Sequence, residues 1–589
     1  MTTKKKKIAH IDNTKLEEPQ TEVRTPWYTA DEKVPAHLEY PDCSMVDLII
    51  RNAENYSDYT AYEFMNTSAT YAEFIVRIEE CARALKAIGI NEGDKVTICM
   101  PNTPQAIIMF YAINMVGAIS NMVHPLSAEK EIEYFLNLSK SKAILTLDAF
   151  YPKVRKAKEA APALETIIVA SIGDELAGAL KLGFKLTKGR KIKKVPKEAG
   201  TVKYKEFIEM GRAYHGEYHV AKHASEPAAI LYSGGTTGTM KGILLTNLNF
   251  NALGMQTGAA SRIITAGEKM LSIMPVFHGF GLGVGIHTML IAGCVCHLVP
   301  QFSVETYAKL LGQVKPNYIA GVPTLYEALL RSKKVEGLDL SCLKGVFSGG
   351  DSLSVELKKK VDDFLHAHGA NVQVREGYGL TECVTASCLT PKDYHKVGSI
   401  GIPFPDTYYK IVKPSTKVEV NFGEEGEICI SGPSVMKEYL DAPEETASTL
   451  QKHPDGLTWL HTGDLGVMDE EGFIYFKQRL KRMIVSSGYS IYPSQLENVI
   501  DANENVLMST VIGVPDEYKM QKVKAFVVLK DGIEPTAAVQ KDIEEHCRKN
   551  IAHYAMPYEF EYRKELPQTL VGKVAYTVLE KEEIEKQKR

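Results

Sequence analysis

No two cysteines in this chain are spaced as CxxC, and the ten present, at 43, 81, 99, 294, 296, 342, 383, 388, 429 and 547, form no framework of short spacings. Reduced thiols in a cytosol fit that pattern better than a disulfide scaffold. Charge of one sign is not in excess either: 69 Lys and Arg face 73 Asp and Glu, for a net charge of −4. A nucleic-acid partner, which asks for a basic face, is not expected. Met1–His10 is basic but no apolar run follows it, so the start reads as a disordered arm, not as a signal peptide or an anchor. Residues 271–304 lack any Asp, Glu, Lys or Arg, yet Pro275, His278 and glycines at 279, 281, 283 and 285 interrupt them. A buried strand, a glycine-rich loop and a core helix are expected there, not a membrane span. No internal repeat is visible.

The 589 residues, 44% hydrophobic, suffice for more than one core and at least two domains. Apolar runs at Lys95–Met100, Ala143–Leu147, Thr166–Ala170, Ala229–Tyr232, Tyr318–Val322 and Gly345–Ser348 alternate with helical segments. That rhythm predicts an α/β class with parallel sheets covered by helices. After about Gly398 short strands with Gly and Pro turns take over, as at Tyr409–Val412 and Glu427–Ser431, which predicts a β-rich subdomain. Domains are expected at 1–478 and 479–589, the second a small α+β unit. Between 179 and 205 lie ten Lys or Arg against one acid, Glu198, interleaved with Leu180, Leu182, Phe184, Leu186 and Ile192. The plainer reading is a solvated insertion; the sharper is a basic amphipathic patch for an anionic membrane surface.

Residues 231–245, LYSGGTTGTMKGILL, concentrate four glycines and five Ser, Thr or Lys donors between two apolar runs. Gly234, Gly235 and Gly238 let backbone N–H groups close on an anion, Ser233, Thr236, Thr237 and Thr239 add hydroxyls, and Lys241 adds charge. Strand, phosphate loop, strand is the prediction, with a nucleotide triphosphate as guest. It is not a Walker A loop, because Met240 precedes Lys241 and no Ser or Thr follows it.

Further on, Glu376-Gly377-Tyr378-Gly379-Leu-Thr381-Glu382 sets an aromatic ring, a hydroxyl and a carboxylate in one short loop. This suits a purine stacked on Tyr378, a phosphate oxygen on Thr381 and a divalent cation on Glu382. Asp464, in Trp459–Gly466, can accept from both hydroxyls of a ribose. Arg479 and Lys481 sit at the expected domain boundary, Ser487 and Gly488 just beyond, and Lys573 in a glycine-flanked loop near the C-terminus. Singly, each has a structural alternative: a helix cap for Glu382, a turn for Asp464, surface pairing for Arg479, solvation for Lys573.

Together and in this order, the five segments resemble the adenylate-forming superfamily of acyl-CoA synthetases, luciferases and peptide-synthetase adenylation domains, from roughly Thr70 to Glu580. The stretch Met483–Pro493 is most similar to the fatty acyl-CoA synthetase branch. Departures are Gly234 where Ser is frequent, Met240 where Pro is, Gln521 where Glu is, and Val571 where Ser is. The resemblance implies that ATP and a carboxylic acid give an acyl-adenylate and pyrophosphate, after which a thiol, CoA, displaces AMP. It implies Lys573 as the bridge between carboxylate and α-phosphate, and Lys241 with the hydroxyls around it for the outer phosphates. Mg²⁺ would sit on Glu382 and Thr237, and the ribose on Asp464 with Arg479. Lys481 would be the hinge of a mobile C-terminal domain, whose rotation brings Ser487 and Gly488 to the thiol channel.

The family segment beside the acyl pocket corresponds to Met274–Leu282. Amino-acid-activating relatives place an Asp after its aromatic residue; here His278 follows Phe277, which favours an acid without an α-amino group. Val322, Ser348 and Gly349 are expected to supply further walls. A medium- or long-chain fatty acid is the expected substrate, with an aromatic or sterol-derived acid, or transfer to a carrier protein in place of CoA, as alternatives. A luciferase-like oxygenase and a non-catalytic scaffold remain as readings of other classes. A cytoplasmic location is expected, with 179–205 a candidate peripheral contact at the inner face of the membrane.

Overall fold

The computed structural model describes residues 18–234, 240–301, 303–482, 484–486, 489–491, 493–516, 518–569 and 572–587. The basic N-terminal residues, the phosphate-loop candidates 235–239, Ser487, Gly488 and Val571 lie outside these residues. Four sheets carry the described fold.

In the first, Lys95–Cys99, Ile119–Met122, Ala143–Leu147, Thr166–Ala170 and Thr201–Lys203 run parallel. Ala143–Leu147 is buried along its whole length, the state of a strand covered on both faces. The hairpin Pro227–Gly234 and Met240–Thr246 joins this sheet through Ile119–Met122 and holds Ser233 opposite Lys241. Thr246 then caps the helix Asn247–Ser261, accepting from the N–H of Asn249, whose own side chain returns to the Thr246 N–H.

In the second sheet, Lys269–Ser272, Val295–Leu298, Tyr318–Gly321, Gly345–Ser348 and Val374–Tyr378 are parallel. Gly321 is in register with Ser348, and Ser348 with Glu376, so two strands end side by side and the third runs on beside them to Tyr378. Their outgoing segments, at Val322–Thr324, Gly349–Asp351 and Gly379–Glu382, line one crevice at the carboxyl edge, the usual ligand position in open α/β sheets. The strands expected from the apolar runs are therefore present and parallel.

The charge-free stretch folds differently from the expectation at its centre. After the buried strand, the glycines do not form a loop: Phe280–Thr288 is a buried π-helix. Its glycines are required by close approach. A Cβ on Gly279 would lie 1.7 Å from the Val384 carbonyl oxygen, and one on Gly281 would lie 2.1 Å from that of Pro275. Val384 itself has φ 63°, a left-handed value costly for a β-branched residue, of the kind that clusters near functional sites.

The third sheet is the β-rich part: Tyr408–Val412, Glu425–Ser431, Thr458–Met468, Leu450–Lys452 and Ile474–Arg479, antiparallel throughout. The turn Leu480–Arg482 leads out of it. Ile484–Ser486 already belongs to the fourth sheet, with Tyr489–Ile491, Val506–Asp516, Met520–Leu529 and Glu559–Arg563. Helices Pro493–Asp501 and Ala537–Asn550 pack on it around Ile500, Val511, Val527 and Ile543. The basic insertion contains the short helix Gly178–Leu186, with Leu180, Leu182 and Leu186 exposed at 45%, 59% and 56%. Among the described residues no helix is long and apolar enough to cross a membrane.

Candidate active site

The glycine-rich hairpin delivers Ser233 to the crevice, and its hydroxyl donates to Glu382 Oε1 at 3.2 Å. A second donor reaches the same oxygen: the Tyr439 hydroxyl, at 2.8 Å. The Tyr439 ring also lies beneath Lys241 Nζ, 4.8 Å from the ring centroid, a cation–π contact. Tyr439 reaches both because the short strand Glu438–Tyr439 pairs with Met240–Thr246, while the Met436 N–H bonds the Glu382 carbonyl at 2.7 Å. Glu382 thus stands on the turn Thr381–Cys383 with its carboxylate aimed by two neighbours. Sequence reasoning missed Tyr439, since an aromatic residue in an apolar stretch carries no local mark of such a role.

Across the crevice, Tyr378 donates its hydroxyl to Asp464 Oδ2 at 2.7 Å, with Phe476 beside its ring at 5.9 Å between centroids. Asp464 and Arg479 are register partners on adjacent strands, and Arg479 Nε lies 3.6 Å from Asp464 Oδ1. Burial raises the Asp464 carboxyl to about 6, with Arg479 and Tyr378 acting against that rise. Glu376 and Gly377 are part of the strand rather than of a loop. The Glu376 carboxyl is buried near Lys358 and Asp362, and burial raises it to about 7.

Lys573 enters from the small domain. Its loop closes on itself, the Thr569 N–H bonding the Lys573 carbonyl at 2.7 Å, and Gly572 turns at φ +82°. Thr324 donates its hydroxyl to the Gly572 carbonyl, which ties the loop to the crevice wall. A Cβ on Gly572 would be 3.4 Å from Val322, and one on Gly350 would be 3.9 Å from Lys573 Nζ. Burial lowers the proton affinity of the ammonium; Asp351, Asp464 and Glu382 oppose that, while Arg479 adds to it. His278 is held down to about 3, first by burial and then by the nearby Lys573 charge, so it is neutral.

The expected acyl segment packs against the Val384 turn through Gly279. The Phe277 ring lies tilted against His124, 4.2 Å between centroids, and His278 Nδ1 accepts from the Phe280 N–H at 3.2 Å. A Cβ on Gly349 would be 3.0 Å from the Gly377 carbonyl oxygen and 3.9 Å from the Phe280 ring. The neighbouring Ser348 hydroxyl is buried without a hydrogen-bond partner. The structure therefore gathers Ser233, Lys241, Tyr378, Glu382, Asp464, Arg479, His278 and Lys573 around one crevice. Gly235, Thr236, Thr237, Gly238, Ser487 and Gly488 fall outside the described residues, as does the Lys481 side chain.

Comparison with known proteins agrees with this architecture. Residues 49–440 match the family described as AMP-binding enzyme, and 495–573 its C-terminal domain, so the chain belongs to the AMP-binding enzyme family. A long-chain-fatty-acid–CoA ligase of Bacillus subtilis (strain 168) is 34% identical over 558 residues, 94% of this chain and 97% of the relative. Among solved structures, ATP-bound MatB from Rhodopseudomonas palustris matches with TM-score 0.77 and 25% identity, covering 91% of this chain and 98% of that one. The fold is also that of the anthranilate CoA ligase AuaEII in complex with anthranoyl-AMP, with TM-score 0.79, 23% identity, and coverage of 94% and 98%.

Proposed function

We propose that this chain is an AMP-forming acyl-CoA synthetase whose acid is a medium- or long-chain fatty acid, and that the gathered side chains divide the work of two half-reactions. The observation that carries the reading is the docking of the Lys573 loop on the crevice wall from the C-terminal domain: Thr324 donates to the Gly572 carbonyl, and a Cβ on Gly350 would be 3.9 Å from Lys573 Nζ. Joining a carboxylate to the α-phosphate of MgATP brings two anions together. The catalyst must therefore supply fixed positive charge and aligned donors, with no protein nucleophile. Lys573 bridges the acid and the α-phosphate; an arriving anion restores the proton affinity that burial lowers.

Lys241 and the hydroxyls of the 233–239 turn, Thr237 among them, hold the outer phosphates. Glu382 is the anchor for the Mg²⁺ that the nucleotide carries, a role its aimed carboxylate fits. Held by Glu382, the ion would supply charge compensation for the leaving pyrophosphate. Asp464 accepts from the ribose hydroxyls with Arg479 beside it, and Tyr378 offers its ring face to the purine. Thr381 supplies a donor to the phosphates, and the backbones of Gly377 and Gly379 leave room for the nucleotide. Phe277, His278, Val322, Ser348 and Gly349 bound the acyl chain; a neutral His278 suits an apolar guest.

The boundary lies near 478/479, with Lys481 in the turn between the third and fourth sheets as the hinge. Rotation there withdraws Lys573 and presents Ser487 and Gly488 to CoA, since one cleft cannot serve pyrophosphate release and thiol access under the same lid. The protein works in the cytoplasm. The exposed leucines and lysines of 179–205 are the surface through which it touches a membrane carrying its substrate.

The test is pyrophosphate release over acids of graded chain length, with and without CoA. Release with C12 to C18 acids and thioester only with CoA supports the reading. Preference for an aromatic acid, or an adenylate that only a carrier protein accepts, would replace it.

A further inference from the structure

Away from the crevice, the third sheet brings three potential metal ligands to one point. Glu427 and Cys429 are two residues apart on Glu425–Ser431, and a bulge between them on the pairing with Thr458–Met468 adjusts their aim. Cys429 is in register with His461. Cys429 Sγ lies 3.5 Å from His461 Nδ1, and Glu427 Oε2 lies 3.0 Å from the same nitrogen. All three donor atoms fall within 4.8 Å of one another. The cluster is internal: the Glu427 and His461 side chains are each 7% exposed and Cys429 is fully buried.

The ring nitrogen is oversubscribed. As an N–H it bonds Glu427 Oε2 and offers the thiol no acceptor; as a lone pair it accepts from the thiol and opposes Oε2, while the Gly463 N–H bonds only Oε1. A cation at the centre satisfies all three. Zinc bonds of about 2.3 Å to sulfur and about 2.0 Å to nitrogen or oxygen give tetrahedral donor separations of about 3.5 and 3.3 Å. The two observed spacings to His461 Nδ1, 3.5 and 3.0 Å, are near these.

The surroundings also fit. His461 Nε2 lies 3.0 Å from His453 Nε2, so His461 can donate its remaining N–H to an outer partner, as metal-bound imidazoles do. The nearby Lys410 cation is already paired with Asp455 and with Glu419, the latter at 3.4 Å.

We infer that Glu427, Cys429 and His461 form a site for a thiophilic divalent cation of the zinc class, separate from the Glu382 carboxylate. Binding forms metal bonds to the Cys429 sulfur, His461 Nδ1 and Glu427 Oε2. It releases the thiol proton to solvent, and His461 keeps a single proton, on Nε2. The net charge of a divalent ion with one thiolate and one carboxylate is zero, which suits a buried position.

The probe is Co²⁺ added to the full-length protein after treatment with a chelator. The expected result is one ion per chain, with a near-ultraviolet sulfur-to-cobalt band and visible bands of tetrahedral intensity. Cys429→Ala should lose the near-ultraviolet band, and Glu382→Gln should keep it. Absence of that band in the natural sequence, or its persistence in Cys429→Ala, overturns the assignment. Should Cys429→Ala fail to fold, X-ray absorption on the Zn²⁺-loaded natural protein decides: one sulfur beside nitrogen and oxygen supports the site, and a shell without sulfur removes it.

Discussion

Tyr439 and Glu382 are joined by a 2.8 Å hydrogen bond from the phenol to the carboxylate, with Lys241 resting on the other side of the ring interaction at 4.8 Å. One tyrosine thereby touches the anchor proposed for the cation and the lysine proposed for the phosphates. Tyr439→Phe keeps the ring and loses the bond to a charged acceptor, a change worth about 1.5–3 kcal/mol. The Mg²⁺ concentration for half-maximal pyrophosphate release should rise about tenfold or more, with the Km for ATP at saturating Mg²⁺ moving less. Tyr439→Leu should raise both. Equal behaviour of the two variants would count against separate contributions of hydroxyl and ring.

Lys573→Ala should slow adenylation by about 100-fold or more, the scale seen on deleting one charge-stabilising donor. Thioester formation from supplied acyl-adenylate should survive. Stopped-flow measurement of each half-reaction distinguishes this from general damage, which would lower both.

Thr324→Val should act in the same sense and more weakly. The hydroxyl holds the Gly572 carbonyl only while the Lys573 loop is docked. Loss of such a bond, about 0.5–1.5 kcal/mol, corresponds to roughly 2- to 10-fold in the adenylation rate. The rate of the thiol step should be unchanged.

Asp464 supplies a pH dependence. Its folded-state value, about 6, is above the ordinary 3.8, so the folded protein holds the proton more tightly than the unfolded chain does. Ionised Asp464 therefore costs stability above about pH 6, and the cost fades as pH falls toward 3.8. Nucleotide binding runs the other way, because only the carboxylate accepts from two ribose hydroxyls. ATP affinity measured by calorimetry should drop as pH falls through about 6. Asp464→Asn should bind more weakly and lose that inflection.

Much of this was legible in the chain because chemistry and turns demand unusual local composition. Gly234 and Lys241 stand in a run no ordinary hairpin needs, and Asp464 and Arg479 lie in polar motifs that the register then brings opposite each other. The parallel strands were readable from apolar runs such as Ala143–Leu147, buried throughout. Tyr439 and Thr324 were not, since each is one residue in a packed stretch whose role arises only when distant elements meet. The helix at Phe280–Thr288 was hidden for a different reason. Glycine has poor intrinsic helix propensity, and here tertiary packing against the Val384 segment overrides it.

That wide, glycine-lined helix turn also limits how this part of the core can evolve. At Gly279 and Gly281 an added methyl meets main-chain oxygens, which cannot rotate away. At Gly283 it meets side chains instead, Leu253 at 2.6 Å and Val384 at 3.1 Å, which can be exchanged. A larger residue at position 283 is therefore admissible with exchange of Leu253 or Val384, while the two earlier positions stay fixed as glycine in any descendant that keeps this backbone.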